Sequence, residues 1–216
     1  MSKNLKKRIY TSSVLIFFLL CMLINNYVLG YFLIIIGSIS LLEFFKINSI
    51  IFKNNIKKIF FINLIFSIYI FSFCSIFFYF SFLAQLKTLI YLILFTCVAS
   101  DIGGFVFGKL FKGAKLTKIS PNKTISGAVG SLIFSGFFLL FAIYYLTNVL
   151  DPLFLIVGLT TSLGAQFGDL FFSLLKRKSF LKDTGNFLPG HGGVLDRIDS
   201  MLLGIPIGVI TLIALY

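Results

Sequence analysis

Seven apolar runs, each close to or beyond the ~20 residues that cross a bilayer core as helix, decide what this chain can fold into. They are Ile9–Ile24, Tyr27–Phe45, Ile59–Phe80, Thr88–Phe107, Ile125–Thr147, Leu153–Phe172 and Ile198–Tyr216. Backbone polar groups in hydrocarbon must find partners within their own segment, so such runs fold as helices and not as open strands. Of the 216 residues, 12% are charged and 58% hydrophobic, whereas a water-soluble domain carries about twice that charged fraction. The expectation is an all-α, polytopic integral membrane helical bundle of about seven transmembrane helices, forming one membrane domain over residues 1–216. Pro206 in the last run is tolerable, because neighbouring helices can satisfy the freed carbonyl.

The basic residues orient the bundle. Lys3, Lys6, Lys7 and Arg8 precede the first run, and Lys46, Lys53, Lys57 and Lys58 fall in the second loop on that side. Lys109, Lys112, Lys115, Lys118 and Lys123 lie in the next, and Lys176, Arg177, Lys178, Lys182 and Arg197 in the last. Only Lys87 falls on the opposite face, so the asymmetry predicts a cytoplasmic N-terminus and cytoplasmic polar loops. The first run lacks a small-x-small cleavage site and is expected to be retained as a span. The net charge of +12 suits anionic lipid heads or a nucleotide. Nucleic acid is not an expected partner, since the basic residues are split among membrane-proximal loops and the aromatics belong to the spans. Cys21, Cys74 and Cys97 sit inside apolar runs without ligand spacing and read as small buried hydrophobes.

Acids at membrane depth are costly and point to a bundle interior or a polar cavity. Asp101, in the sequence CVASDIGGFVFG, and Asp169, in GAQFGDLFFS, stand near the cytoplasmic ends of the fourth and sixth spans. Gly103, Gly104 and Gly108 surround the first, and Gly164 and Gly168 the second; small residues of this kind let membrane helices approach closely. Glu43 lies near a cytoplasmic span end beside no other unusual group, and reads as interfacial. Asp196 and Asp199, three apart at the expected start of the last helix, share one helical face. Acids there either complement the helix N-terminus or bind Mg²⁺, which favours hard oxygen ligands bridging to substrate phosphates. Arg197 between them points elsewhere. His191, in PGHGG, has no partner histidine or cysteine cluster, so zinc is not expected. The loop GKLFKGAKLTKISPNKTISG mixes glycine, lysine and hydroxyl groups able to cradle phosphate oxygens, without Walker A spacing.

These segments resemble the bacterial phosphatidate cytidylyltransferase (CDP-diglyceride synthase) family. Its C-terminal signature is matched by Ser173, Lys176, Arg177, Lys182, Asp183, Pro189, His191, Gly192, Gly193, Asp196, Arg197 and Asp199, with Gly168 and Asp169 just upstream. A second family stretch matches Ser120, Pro121, Lys123 and Thr124, and the fourth-span pattern matches Asp101 through Gly108 and Lys109. Ser126 departs from the glutamate or glutamine common there. The chain is also short for a family with eight or nine helices, which implies a reduced N-terminal bundle over residues 1–100. The catalytic half is then 101–216, with cytoplasmic loops 108–124 and 173–197.

The resemblance implies magnesium-dependent transfer of CMP from CTP to phosphatidate, by a homodimer in the bacterial inner membrane. It implies Asp169, Asp196, Asp199 and Asp101 as catalytic groups, with Asp169 and Asp196 as the best metal ligands. Lys176, Arg177, Arg197, Lys123, Ser120, Thr124, Lys182 and His191 are the implied substrate contacts.

Overall fold

A computed structural model describes residues 3–117, 119–190 and 192–216, with the backbone alone at 3–9 and 12. Seven α-helices occur among these residues: α1 (Lys3–Ile24), α2 (Asn26–Ile51), α3 (Ile56–Ser81), α4 (Ala84–Phe111), α5 (Ile125–Thr147), α6 (Leu153–Lys178) and α7 (Leu195–Leu215). Six of them, α2 to α7, are long and apolar enough to cross a membrane, and the chain is a polytopic membrane protein. α1 runs Lys3–Ile24, and among the described residues its apolar stretch is Ser13–Ile24. The other helices mostly overrun their apolar runs. The backbone ladder continues into polar flanks, and caps, not hydropathy, stop it. Asn25 accepts from Tyr27 N, Asn55 from Lys58 N and Thr124 from Gly127 N; Asn148 ends α5 at φ 56°.

The chain divides into two compact units. Met1–Ala84 with Leu175–Ile198 forms the first, and Gln85–Leu174 with Asp199–Tyr216 the second. In the first unit, α2 packs on both α1 and α3. Phe44 stacks on Phe66 with ring centroids 3.7 Å apart, and Asn48 Nδ2 donates to Asn63 Oδ1 at 2.7 Å. The segment between α6 and α7 belongs to this unit and is tied to α1 by Thr11 Oγ1, which donates to the Pro189 carbonyl at 2.8 Å.

The second unit is held by close backbone approach. A β-carbon at Gly103 would fall 2.7 Å from Phe134 Cβ on α5, and one at Gly158 would fall 2.8 Å from the Ser135 carbonyl oxygen. At Gly168 it would fall 2.5 Å from the carbonyl oxygen of Asp199 on α7. The glycines around Asp101 and Asp169 are therefore packing surfaces, as small residues in membrane bundles are. Leu139, Ile143 and Val157 form one buried apolar cluster, and Ser100 and Ser162 hydrogen-bond across α4 and α6 at 2.7 Å. Cys97 is buried, Cys21 and Cys74 are partly buried, and all three are free. Since the atom opposing Gly168 is backbone, Gly168→Ala is expected to cost about 1–3 kcal/mol or more, the scale of overpacking. Denaturant unfolding of the purified chain in lipid measures it.

Candidate active site

Two polar clusters stand out, one in each unit. The cluster of the second unit is organised by the segment between α4 and α5. That segment folds back as a small hairpin: Leu116 N donates to the Lys123 carbonyl at 2.8 Å and Ile125 N to the Ala114 carbonyl at 3.0 Å. A turn closed by Lys123 N on the Ser120 carbonyl, 3.1 Å, presents Lys123. Its ammonium forms an ion pair with Asp169 Oδ2, both side chains 28% exposed. The other carboxylate oxygen of Asp169 accepts from Ser173 Oγ, one helical turn along α6, at 3.2 Å. Asp101 Oδ2 accepts from Ser200 Oγ at 3.3 Å. The charges of Asp101, Asp169 and Lys123 lie close enough to interact.

Of the other residues expected here, Thr124 caps α5 and contacts Ser126 Oγ at 3.1 Å. Ser126 in turn donates to the Lys112 carbonyl. Ser120 gives backbone atoms to the turn, its N–H donating to Thr117 Oγ1 at 3.2 Å. Asp199 is buried, and its carboxylate accepts from Ser200 N at 2.8 Å.

The cluster of the first unit gathers around the start of α7. Asp196 Oδ1 accepts from Lys176 Nζ at 2.7 Å, with the side chains 8% and 15% exposed. Asp196 Oδ2 takes Thr184 N at 2.8 Å and Gly193 N at 3.1 Å, and stands 3.1 Å from Thr184 Oγ1. The bond back to Gly193, three residues earlier, is the carboxylate half of a capping box. Arg177, Lys182 and Arg197 are exposed on the same unit; His191 lies outside the described residues. Gly192, at φ 84°, sits where a β-carbon would fall 3.2 Å from Asp196 Oδ2, so glycine suits both the turn and the space.

Glu43 is not solitary. It is 3% exposed. Its Oε1 accepts from Val194 N at 3.0 Å, and its Oε2 from Leu195 N at 2.9 Å and Thr184 Oγ1 at 2.7 Å. The signal available in the sequence was its place on one face of α2 with Gly37, Ser40, Ile47 and Asn48, all buried, since an acid on a packed face of a membrane helix needs donors. Thr184, Ser173 and Ser200 also carry carboxylate contacts that the spacing did not announce.

The two clusters differ in what they can accept. One oxygen of Asp196 already takes two backbone donors and the other an ammonium, three of the roughly four lone-pair sites of a carboxylate. Asp169 and Asp101 have fewer protein donors and offer hard carboxylate oxygens of the kind magnesium selects. Among the described residues, no three His, Cys, Asp or Glu side chains gather as an enclosing metal cage. Magnesium does not require one, being held typically by one or two carboxylates together with substrate phosphates. The Asp169–Asp101 pair fits that mode.

A sequence profile of the Cytidylyltransferase family matches residues 52–215. The chain belongs to this family. A phosphatidate cytidylyltransferase of Rickettsia felis is 41% identical over 128 residues, covering 54% of this chain and 56% of the relative. One from Helicobacter pylori strain 26695 is 44% identical over 114 residues, covering 52% of this chain and 42% of the relative. One from Staphylococcus saprophyticus is 44% identical over 116 residues, covering 53% and 45%. The chain thus spans about half the length of the curated relatives it matches.

Proposed function

We propose that this cytidylyltransferase-family chain transfers CMP from CTP to phosphatidate, giving CDP-diacylglycerol and pyrophosphate. The observation that carries the reading is the Lys123–Asp169 ion pair beside Asp101, in a chain whose relatives bear the name phosphatidate cytidylyltransferase. A phosphate oxygen of phosphatidate attacks the α-phosphorus of CTP. A new P–O bond forms there as the bond from the α-phosphorus to the α,β-bridging oxygen breaks, and pyrophosphate leaves with that electron pair. The nucleophile is already anionic, so no deep general base is needed. The protein's task is to bring anions together and stabilise charge on the leaving group.

Asp169 and Asp101 would hold Mg²⁺, which when bound neutralises triphosphate charge and stabilises the departing pyrophosphate. Lys123 supplies a cation at the same carboxylate. Lys176, fixed by Asp196, and the exposed Arg177, Lys182 and Arg197 supply cationic contacts to phosphate oxygens. In this reading Asp196 is a holder of Lys176 and of the α7 N-terminus, and not a metal ligand. The distribution of lysine and arginine supports placing these loops on the cytoplasmic side of a bacterial inner membrane, where CTP is water-borne and phosphatidate arrives within the bilayer. A homodimer belongs to the same reading, and light scattering of the solubilised chain tests it.

The deciding experiment is turnover of CTP in lipid with phosphatidate supplied or omitted. Phosphatidate-dependent pyrophosphate release together with CDP-diacylglycerol is expected. Chelation of divalent cations is expected to abolish it and added Mg²⁺ to restore it. Folded chain without product, beside an active control in the same lipids, would refute the activity. Lys123→Ala is expected to weaken substrate use by about 10- to 100-fold in kcat/KM, the equivalent of one charged hydrogen bond of about 1.5–3 kcal/mol. Unchanged kinetics for both substrates would remove Lys123 from the site.

A further inference from the structure

We propose that Glu43 is a positioning residue for this reaction, acting through Thr184 and Asp196 on Lys176; the inference rests on the activity proposed above. Glu43 stands on α2, outside the segment 52–215 that matches the family profile. Nothing in the motifs assigns it a role.

A carboxylate 3% exposed must be compensated by donors. Glu43 finds them at the two ends of the segment that carries the signature residues. Thr184 lies at one end, and the backbone N–H groups of Val194 and Leu195 at the other. Those two N–H groups belong to the start of α7, where the first amides of a helix have no intrahelical partner and a negative charge is favourable. Glu43 is thus a cap supplied by a different helix.

The surroundings are shaped to it. A β-carbon at Gly193 would fall 2.5 Å from Glu43 Oε2, and one at Gly185 would overlap Glu43 Oε1. Two glycines therefore let the segment close over the carboxylate.

The link to Lys176 runs through one hydroxyl. Thr184 Oγ1 is 2.7 Å from Glu43 Oε2 and 3.1 Å from Asp196 Oδ2, and it has a single proton to give. The shorter contact assigns that proton to Glu43, which fixes the Thr184 side chain. The Thr184 N–H then donates to Asp196 Oδ2 at 2.8 Å. With Oδ2 held by Thr184 and Gly193, Asp196 keeps Oδ1 turned to the Lys176 ammonium. Loss of the Glu43 charge releases both ends of the segment, and Asp196 loses the frame that aims Lys176.

Glu43→Gln conserves volume but sets an NH₂ against backbone or hydroxyl donors on one side. The full chain in lipid vesicles would be assayed for CTP turnover and, separately, for tryptic cleavage after the exposed Lys182. The expected result is at least tenfold faster cleavage after Lys182 and at least a tenfold fall in kcat. In a double-mutant cycle with Lys176→Ala, the two turnover losses should be strongly non-additive, because both remove the same aimed cation. An independent scaffold role would leave the losses additive.

Wild-type cleavage rates in Glu43→Gln would overturn the anchor. Faster cleavage with unchanged turnover, or additive losses, would overturn the positioning role. Where Glu43→Gln does not insert, Thr184→Val reads the same link and should give the same coupling to Lys176→Ala. A wild-type chain without turnover sinks the proposed activity and with it the effect on Lys176, while the cleavage rates still decide the anchor.

Discussion

Asp169→Asn is expected to lower turnover by roughly 10²–10³-fold, the scale of removing one preorganised electrostatic partner from a reacting centre, with little change in stability. The side chain is 28% exposed, and a solvent-accessible ion pair such as Lys123–Asp169 contributes at most about 1 kcal/mol. Asparagine keeps the volume and an oxygen able to accept from Ser173 Oγ. It leaves the packing of Gly168 on the Asp199 carbonyl untouched. What it removes is half of the carboxylate pair proposed to take Mg²⁺. The concentration of Mg²⁺ needed for half-maximal residual turnover should therefore rise. Pyrophosphate release by purified variant across a magnesium titration, with unfolding followed in parallel, separates the two quantities. Near-normal turnover with an unchanged magnesium response would remove Asp169 from the site.

The helices were legible because a bilayer imposes one strong rule on sequence: apolar length. That rule located α2 to α7 and gave the ends of α5 as found, between Thr124 and Asn148; it misjudged ends elsewhere, as at the starts of α2 and α3, where Asn25 and Asn55 accept from backbone amides. The first run, Ile9–Ile24, lies within α1, Lys3–Ile24. Asp101, Asp169 and Lys123 were visible as polar groups in unexpected surroundings. Their pairing was not visible, since it depends on the register of the 114–125 hairpin. Glu43 was misread for a related reason. Its donors come from Thr184, Val194 and Leu195, well over a hundred residues away. No local pattern reports a bond of that reach, so the residue looked solitary. For Asp196, the spacing suited a helix cap as well as the Mg²⁺ ligand that was the sharper expectation; its donors from Lys176, Thr184 and Gly193 support the holding role proposed here.

That distinction makes Asp196→Asn fail in a different way from Asp169→Asn. Asp196 and Lys176 are largely buried, at 8% and 15% side-chain exposure, and breaking a buried pair by removing one partner costs on the order of 3–5 kcal/mol. The asparagine oxygen can still accept from Thr184 N or Gly193 N. Its NH₂ then faces the Lys176 ammonium, donor against donor. Turned the other way, the NH₂ faces the backbone N–H groups. Either orientation leaves a desolvated group poorly matched, so unfolding stability and turnover should fall together. Lys176→Met in the Asp196→Asn background removes the mismatched cation while keeping an apolar stem. It is expected to recover much of the lost stability and none of the turnover, because a charge proposed to meet phosphate is gone. Denaturant unfolding and CTP turnover of the single and double variants measure both effects. If Asp196→Asn lost turnover with its stability intact, the carboxylate would not be holding the loop, and a metal-binding role would become the better account of it.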